Sequence, residues 1–160
     1  MQARSEHTKV RPPAVAGQFY SADPRRLRSH IETLLTKIPA SSSASPKALI
    51  APHAGYVYSG GVAATAFACL QGAAETIKRV VLIGPAHYVR LRGIAVPTVD
   101  AFETPLGRVR LDREALVAIG DLPSVTQSDA AHAPEHALEV EVPFLQTLLN
   151  GFTMVPLLVF

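Results

Sequence analysis

Two short apolar runs in this chain each end in a proline and a histidine, and this repeat constrains the fold more than any other feature. The first run lies in ALIAPHAGYVYSGG, residues 48–61, and the second in VVLIGPAHYVRLRG, residues 80–93. Both runs are continuously apolar rather than alternating, which is typical of strands buried on both faces of a parallel sheet. The repeat therefore predicts an α/β fold with a mixed, mainly parallel sheet flanked by helices.

The histidines that follow these runs, His53 and His87, are candidate metal ligands. Ligands of open α/β sheets bind outside the carboxyl ends of strands, and neighbouring strands lie about 4.8 Å apart. Two neutral imidazoles in one such crevice suit Fe(II), Cu or Zn. Pro52 and Pro85 restrict the two turns and help to fix the direction of each histidine. A hydrogen-bonded loop histidine is the alternative for either residue alone, but the duplication favours a shared site.

Further candidates lie in the segment HAPEHALEVEV, residues 132–142. Glu135 and His136 are candidate catalytic residues, either beside the metal or as a proton relay. A capping carboxylate and an ordinary polar contact are the alternative explanations for these two side chains. His132 lies four residues before His136, a spacing that can bind metal on one helix face, but Pro134 argues that the helix begins later.

Tyrosines near the same strand ends, Tyr56 and Tyr88, are candidate substrate contacts through their hydroxyl groups, with simple packing as the alternative. The glycines of YSGG, residues 58–61, are consistent with anion binding at a helix N-terminus or with close helix packing. The sequence contains no nucleophile elbow, phosphate-binding loop, paired CxxC motif or dinucleotide fingerprint. The two histidines and their neighbours are therefore the strongest functional signal.

The segment SADPRRLRSHIETLLTKI, residues 21–38, is predicted to form an amphipathic helix that packs against the sheet. Asp23 is in position to cap this helix, and Pro24 suits its first turn. The serine- and proline-rich residues 39–46 are predicted to form a flexible loop, and residues 1–12 are expected to be flexible as well.

The last apolar run, FTMVPLLVF, is predicted to be a strand that spans residues 152–160. No Lys, Arg, Asp or Glu occurs between Asn150 and Phe160. Exposed apolar strand edges pair with other chains unless charge or another element protects them. We therefore expect an exposed or poorly covered strand, and self-association through it.

Composition limits the other possibilities. The chain has 160 residues, enough for one domain, and its single cysteine excludes an internal disulfide, which fits a cytoplasmic protein. No apolar run approaches about 18 residues and no basic run is interleaved with aromatics, so neither membrane nor nucleic-acid binding is expected. Of the 15 basic residues 12 lie in residues 1–99, and of the 13 acidic residues 9 lie in residues 100–160. This asymmetry predicts attraction between the two halves of one fold.

Five segments occur in this chain in the same order as in the Memo family: PAVAGQFYSAD, LIAPHAGYVYSGG, VVLIGPAHY, TPLGRVRLD and EHALEVEVPFLQ. Bacterial and archaeal members of that family are usually called AmmeMemoRadiSam system protein B. The chain resembles the family from about Pro13 onwards, and the family is similar in fold and pocket placement to class III extradiol non-haem iron dioxygenases. The resemblance implies that His53 and His87 hold Fe(II) or Cu, and that residues 135–137 lie beside the same pocket.

Family chains continue beyond the segment that this sequence resembles. The resemblance therefore implies that residues 1–160 are the N-terminal portion of a single Memo-like domain, with a fold that is incomplete at its C-terminus. It also implies that the third protein ligand to the metal is not present in this chain. Ala137 stands where the family commonly has serine.

Two functions are consistent with these residues. In the first, the chain is a metal-binding, dioxygenase-like oxidoreductase in which Glu135 or His136 acts beside the ion held by His53 and His87. In the second, the chain is a non-catalytic protein that binds a metal, a small molecule or a peptide in the same crevice. A third protein ligand within reach of the metal would favour the oxidoreductase over the non-catalytic binding protein.

Overall fold

The computed structural model describes residues 8–38 and 46–160, and no helix within them is long and apolar enough to cross a membrane. These residues form seven strands: β1 Val10–Arg11, β2 Arg79–Pro85, β3 Ile94–Val96, β4 Ala101–Thr104, β5 Gly107–Arg110, β6 Val125–Gln127 and β7 Thr153–Val159. They also form five α-helices: α1 Pro24–Thr36, α2 Tyr56–Ala68, α3 Arg113–Gly120, α4 Asp129–His132 and α5 Val142–Leu148. Short 3-10 helices span Gln71–Ala73 and Glu139–Glu141.

The strands form two mixed sheets, which confirms the predicted α/β class. The larger sheet has the order β2-β7-β3-β6, in which β2 and β7 are parallel, β3 and β6 are parallel, and β7 and β3 are antiparallel. The smaller sheet has the order β1-β4-β5. A parallel bridge between Leu111 and Met154 connects the smaller sheet to β7. The site-bearing segments all lie around the β2-β7 side of the larger sheet.

Helix α1 forms where its sequence signals predict. The Asp23 carboxylate accepts a hydrogen bond from the backbone N–H of Arg26 at 2.8 Å, and Pro24 occupies the first turn. Leu27 and Ile31 are fully buried, at 0% exposure, and they face α2 and α5. The apolar face thus reaches the sheet through a layer of helices rather than lying directly on it.

Close packing of helices explains one of the two glycines in α2. A Cβ atom at Gly60 would lie 3.2 Å from Leu34 Cδ1 and 3.3 Å from Tyr56 Cβ, whereas a Cβ at Gly61 would meet nothing within 4 Å. Gly60 therefore lets α1 and α2 approach closely, which supports the packing interpretation of this segment.

The run at residues 47–51 was predicted to be a buried strand, and the structure corrects this. These residues are outside both sheets and make no backbone hydrogen bond to another described residue. A cavity of about 750 Å³ separates them from β2, so no strand lies at bonding distance and the strand-type sequence has no partner. Ile50 is 98% exposed as a result.

The predicted exposure of the C-terminal strand is also corrected, whereas self-association of the chain stays a prediction. Strand β7 lies inside the sheet, paired along its whole length with β2 and at its end with β3. On the edge of β7 away from β2, the backbone N–H of Asp112 also donates to Met154 O at 2.8 Å. Met154 and Leu158 are fully buried. Because both edges of β7 are bonded, the outer strands of the larger sheet, among the described residues, are β2 and β6.

The N-terminal region contains an element that the sequence did not predict. Val10 and Arg11 form β1 and pair with β4, and the Arg11 side chain is buried. The predicted flexibility of residues 1–12 therefore stays a prediction only for residues 1–7, which lie outside the described residues. Residues 39–45 of the predicted loop at 39–46 also lie outside the described residues, and Pro46 is exposed.

Replacing Ile31 with Ala should lower the free energy of unfolding by about 2–5 kcal/mol, because the substitution leaves a cavity among α1, α2 and α5. Chemical denaturation of the purified variants measures this. Arg28→Ala is the matched control, since Arg28 lies on the exposed face of the same helix and its loss should change stability little. Equal effects of the two substitutions would contradict the assignment of the buried face.

Candidate metal centre

His53 lies in a short loop that connects residues 47–51 to α2. The loop is held at its far end, because Tyr56 N donates to Phe19 O at 2.8 Å and Ser59 Oγ donates to Ala54 O at 3.1 Å. The imidazole is half-buried and makes no hydrogen bond to the described residues. Both of its nitrogens are therefore available to a ligand.

His87 follows the carboxyl end of β2 and is oriented by a single carboxylate. Its backbone N–H donates to Glu135 Oε2 at 2.6 Å, and its Nδ1 lies 2.9 Å from Glu135 Oε1. An ionised carboxylate can only accept, so the proton of the neutral imidazole sits on Nδ1. The Nε2 atom is then left with a free lone pair, as a metal ligand requires.

Glu135 is 3% exposed and saturated with hydrogen bonds. Besides its two bonds to His87, it accepts from the backbone N–H groups of His136 at 2.8 Å and Ala137 at 2.9 Å. Burial by itself would raise the pKa of Glu135, but the hydrogen bonds from His87 and from the backbone hold that pKa below its usual value. These contacts suit Glu135 to hold His87 in place, and its predicted catalytic role stays a prediction.

His136 stacks on His87, with ring centroids 4.6 Å apart and planes at 19°. The Phe19 ring covers it at 4.9 Å. Its Nδ1 is buried and lies 3.3 Å from Glu135 Oε1, but without the geometry of a hydrogen bond to any described residue. A buried imidazole nitrogen without a partner is uncommon in a folded protein and indicates a missing ligand or ion.

The three histidines converge. The ring centroids of His53 and His87 are 5.3 Å apart, those of His53 and His136 are 6.0 Å apart, and one nitrogen from each residue lies within 4.8 Å of the others. Tetrahedral nitrogen ligands at 2.0–2.1 Å from one ion lie about 3.4 Å from each other. The side chains therefore need to close by up to about 1.4 Å to share an ion. The sequence predicted His53 and His87 together; the structure adds His136 as a third candidate ligand within the chain.

The electrostatic environment favours neutral imidazoles. Burial lowers the pKa of His53, and the neighbouring His87 lowers it further. Burial also lowers the pKa of His136, although Glu135 opposes that effect. Neutral imidazole is the form that binds metal ions, so the site is prepared for a cation at neutral pH.

The tyrosines divide between the core and the site. Tyr56, which the sequence proposed as a substrate contact, is 5% exposed, and its hydroxyl donates to Val140 O at 2.8 Å. Because that hydroxyl is already bonded inside the core, Tyr56 is not available to a substrate in this structure. Tyr88 is 58% exposed and stands edge-on to His136 at 6.0 Å, so it lies at the rim of the site.

A cavity of about 830 Å³ opens beside His53 and His136, and its walls are largely apolar. Phe19, Tyr58 and Val62 contribute to these walls, and none of the three is among the candidate site residues named above. A signal for Phe19 was present, because it lies in the PAVAGQFYSAD segment that the chain shares with a known family. Tyr58 carried the same signal, because it lies in the shared segment LIAPHAGYVYSGG, whereas Val62 follows that segment and carried none.

Comparison with known proteins identifies the family of this chain. The sequence profile described as "Memo-like protein" matches residues 11–160. The chain belongs to the Memo family. It is 44% identical over 161 residues to a MEMO1 family protein of Ignicoccus hospitalis, an alignment that covers 92% of this chain and 55% of the relative.

Other relatives give the same picture. A MEMO1 family protein of Aquifex aeolicus is 39% identical over 152 residues, covering 94% of this chain and 55% of the relative. A MEMO1 family protein of Methanothermobacter thermautotrophicus is 41% identical over 157 residues, an alignment that covers 92% of this chain and 56% of the relative. The chain thus spans about half the length of the curated Memo-family relatives that it matches.

His132 does not join the histidine cluster of this Memo-family chain. It is 2% exposed, its Nε2 lies 3.1 Å from Ala95 O, and its ring packs edge-on against Phe102. Burial lowers the pKa of His132 to about 4. It is therefore a neutral core residue, and its spacing from His136 has no ligand role in this structure.

The lowered pKa of His132 predicts how its contribution to stability changes with pH. Between about pH 6.5 and 4 the unfolded chain protonates this residue and the folded chain does not, so the stabilising contribution falls as the pH decreases through that window. The stability difference between the wild type and His132→Asn should therefore shrink by up to about 3 kcal/mol from pH 7 to pH 4, at about 1.4 kcal/mol per pKa unit.

Denaturation curves at several pH values measure this difference. His30→Asn is the matched control, because it replaces a histidine that lies on the exposed face of α1. A His132→Asn difference that stays constant across the window would contradict the assignment of a buried neutral imidazole.

Proposed function

We propose that His53, His87 and His136 together hold one divalent transition-metal ion, Fe(II) or Cu(II), in a dioxygenase-like oxidoreductase site. The observation that carries this proposal is the placement of three imidazole nitrogens within 4.8 Å of one another. Imidazole ligands suit iron, copper and zinc, whereas Mg²⁺ and Ca²⁺ prefer oxygen ligands.

The surrounding residues fit an ion at this point. The unpartnered Nδ1 of His136 and the carboxylate-oriented ring of His87 are the features expected around a metal whose ligands are held in advance. Glu135 contributes from behind His87, with its oxygens already engaged by four hydrogen bonds. The donor set is therefore three neutral nitrogens rather than two histidines and a carboxylate.

An oxidoreductase is favoured because two of the three candidate ligands, His53 and His136, line the cavity of about 830 Å³. Three protein ligands leave positions open for water or a substrate, which is typical of catalytic rather than structural sites. When bound, the ion would supply redox and Lewis-acid chemistry to a molecule in that cavity. The apolar walls at Phe19 and Tyr58 would exclude water, and Tyr88 would offer a hydroxyl at the rim.

Two variants of this proposal differ in the role of His136. In one, His136 is the third ligand. In the other, His53 and His87 alone hold the ion, and His136, stacked 4.6 Å from His87, carries a proton for a bound substrate. The non-catalytic alternative, a protein that binds a metal, small molecule or peptide here, shares the ligands but needs no proton carrier.

Metal titration of the anaerobically purified chain, followed by calorimetry and elemental analysis, should give one ion per chain. His53→Ala and His87→Ala should each weaken binding at least about tenfold, the lower end of what site residues contribute to metal affinity. His30→Ala is the matched control and should bind normally, because that histidine lies on the exposed side of α1.

His136→Ala separates the two variants, because a ligand role predicts the same loss of affinity and a proton-carrier role predicts unchanged affinity. Binding that none of the three substitutions affects would refute the metal site.

Glu135→Gln should lower metal affinity by about 10–100-fold while leaving all three imidazoles in the chain. The amide keeps the shape of the side chain, but its NH2 group would stand where Oε2 accepts from the His87 backbone N–H, and the negative charge beside His87 Nδ1 would be lost. Asp121→Asn, which removes a carboxylate charge at the end of α3, is the control for net charge. Equal affinity of wild type and Glu135→Gln would show that the carboxylate does not position the ligand.

A further inference from the structure

The turn at residues 132–139 does not bond as a continuation of α4, because Pro134 has no N–H and cannot extend the helix. In a continuing helix, the carbonyls of residues 132 and 133 would accept from the N–H groups of residues 136 and 137. Those two N–H groups donate instead to Glu135 Oε1, at 2.8 and 2.9 Å. The carbonyls of the turn are therefore left for a donor from another part of the chain.

The side chain of Arg11 is that donor. Its Nε donates to His132 O at 2.7 Å, and its Nη2 donates to Glu135 O at 2.5 Å and to Ala133 O at 3.5 Å. Arg11 lies in β1, so it is distant in sequence from all three carbonyls. A guanidinium presents five N–H groups in one rigid plane, which lets a single side chain bind the carbonyls on both sides of Pro134.

The guanidinium of Arg11 is itself fixed in position and in plane. Its Nη1 donates to Glu139 Oε2 at 2.7 Å, and the side chains of this pair are 3% and 1% exposed. Its Cζ lies 4.9 Å from the centroid of the Phe102 ring, which covers one face of the group. The Tyr20 hydroxyl donates to Glu139 at 2.5 Å and holds the carboxylate in turn. Charge-assisted bonds of this kind are stronger than neutral ones, so the donors that meet the turn have little freedom to move.

The peptide unit between Glu135 and His136 is bonded at both ends. Its carbonyl oxygen accepts from Arg11, and its N–H donates to the Glu135 carboxylate. The plane of this peptide determines the direction in which both neighbouring side chains leave the backbone. The Glu135 carboxylate orients His87, and His136 contributes its own nitrogen to the histidine cluster. Two of the three candidate metal ligands therefore depend on one peptide plane.

We propose that Arg11 is a positioning residue of the metal centre, which fixes the peptide between Glu135 and His136 and thereby the directions of His87 and His136. This proposal rests on the proposed function, because only there do the histidines hold an ion. Among the described residues, Arg11 donates to backbone carbonyls and to Glu139 and to no imidazole. A purely structural role predicts that altering Arg11 loosens the whole fold, whereas the positioning role predicts a loosening of this turn in particular.

Arg11→Lys is the first test, because lysine keeps the positive charge and offers one nitrogen in place of the planar fork. Hydrogen exchange is measured at the backbone amides of His87, His136 and Ala137. All three donate to the Glu135 carboxylate. A chelator is present, so the result does not depend on a bound metal. We expect exchange at these three amides to accelerate at least about tenfold more than exchange at the amides of β7.

Ile31→Ala is the matched control, since Ile31 is fully buried in the helical layer and contributes to stability without contacting Arg11. This substitution should accelerate exchange in β7 at least as much as at the three turn amides. If Arg11→Lys gives the same pattern as Ile31→Ala, Arg11 has a structural role alone and the proposal is overturned. Unchanged exchange at the three turn amides would overturn it as well.

Cu(II) titration gives the second measurement. Arg11→Lys should lower the affinity for Cu(II) at least about tenfold and change the electron paramagnetic resonance spectrum of the bound ion, because the imidazoles meet it at altered angles. Ile31→Ala, studied at a temperature at which it is folded, should bind Cu(II) as the wild type does. Faster exchange at the turn with unchanged Cu(II) affinity would show that the peptide does not position the ligands. If the wild type binds no Cu(II), the proposed function fails, and the exchange measurement still decides whether Arg11 fixes the turn.

The double variant Arg11→Met/Glu139→Gln keeps the test decisive if Arg11→Lys does not fold. It removes both charges together, so no unpaired charge is left in the core, and the amide oxygen still accepts from the Tyr20 hydroxyl. Thermal melting establishes that the variant is folded. We expect the same selective acceleration at the three turn amides and the same loss of Cu(II) affinity. A folded double variant with wild-type exchange at the turn would overturn the proposal.

Discussion

The buried ion pair between Arg11 and Glu139 is the interaction on which the rest of the site depends. Their side chains are 3% and 1% exposed and lie 2.7 Å apart. Glu139 also accepts from the Tyr20 hydroxyl at 2.5 Å and from two backbone amides of the N-terminal segment, while Arg11 donates to the backbone carbonyl of Glu135 at 2.5 Å. Removing one partner of such a pair leaves an uncompensated buried charge, which costs about 3–5 kcal/mol. The network therefore fixes the segment that carries Glu135 and His136 against the N-terminal part of the chain.

The same segment is held from the other side by a glycine. A Cβ at Gly84 would lie 2.8 Å from Leu138 Cδ2 and 3.3 Å from Ala137 Cβ, so a side chain there would push this segment away and glycine lets the end of β2 approach it closely. The close approach brings the Glu135 carboxylate within reach of His87, three residues after Gly84. The geometry of the histidine cluster thus follows from two contacts that contain no histidine. The Arg11–Glu139 ion pair also joins the basic first part of the sequence to its acidic last part.

Local signals predicted the parts of this molecule that depend on local physics. Asp23 and Pro24 marked the start of α1, and the repeated Pro-His pattern identified His53 and His87. The pairing of strands depends on contacts between distant residues, so the sequence could not show that β7 would lie between β2 and β3 or that residues 47–51 would have no partner. The prediction that Tyr56 contacts a substrate failed for a related reason. The local sequence does not show whether a tyrosine beside a loop faces the site or the core, and here its hydroxyl contacts Val140 O in the core.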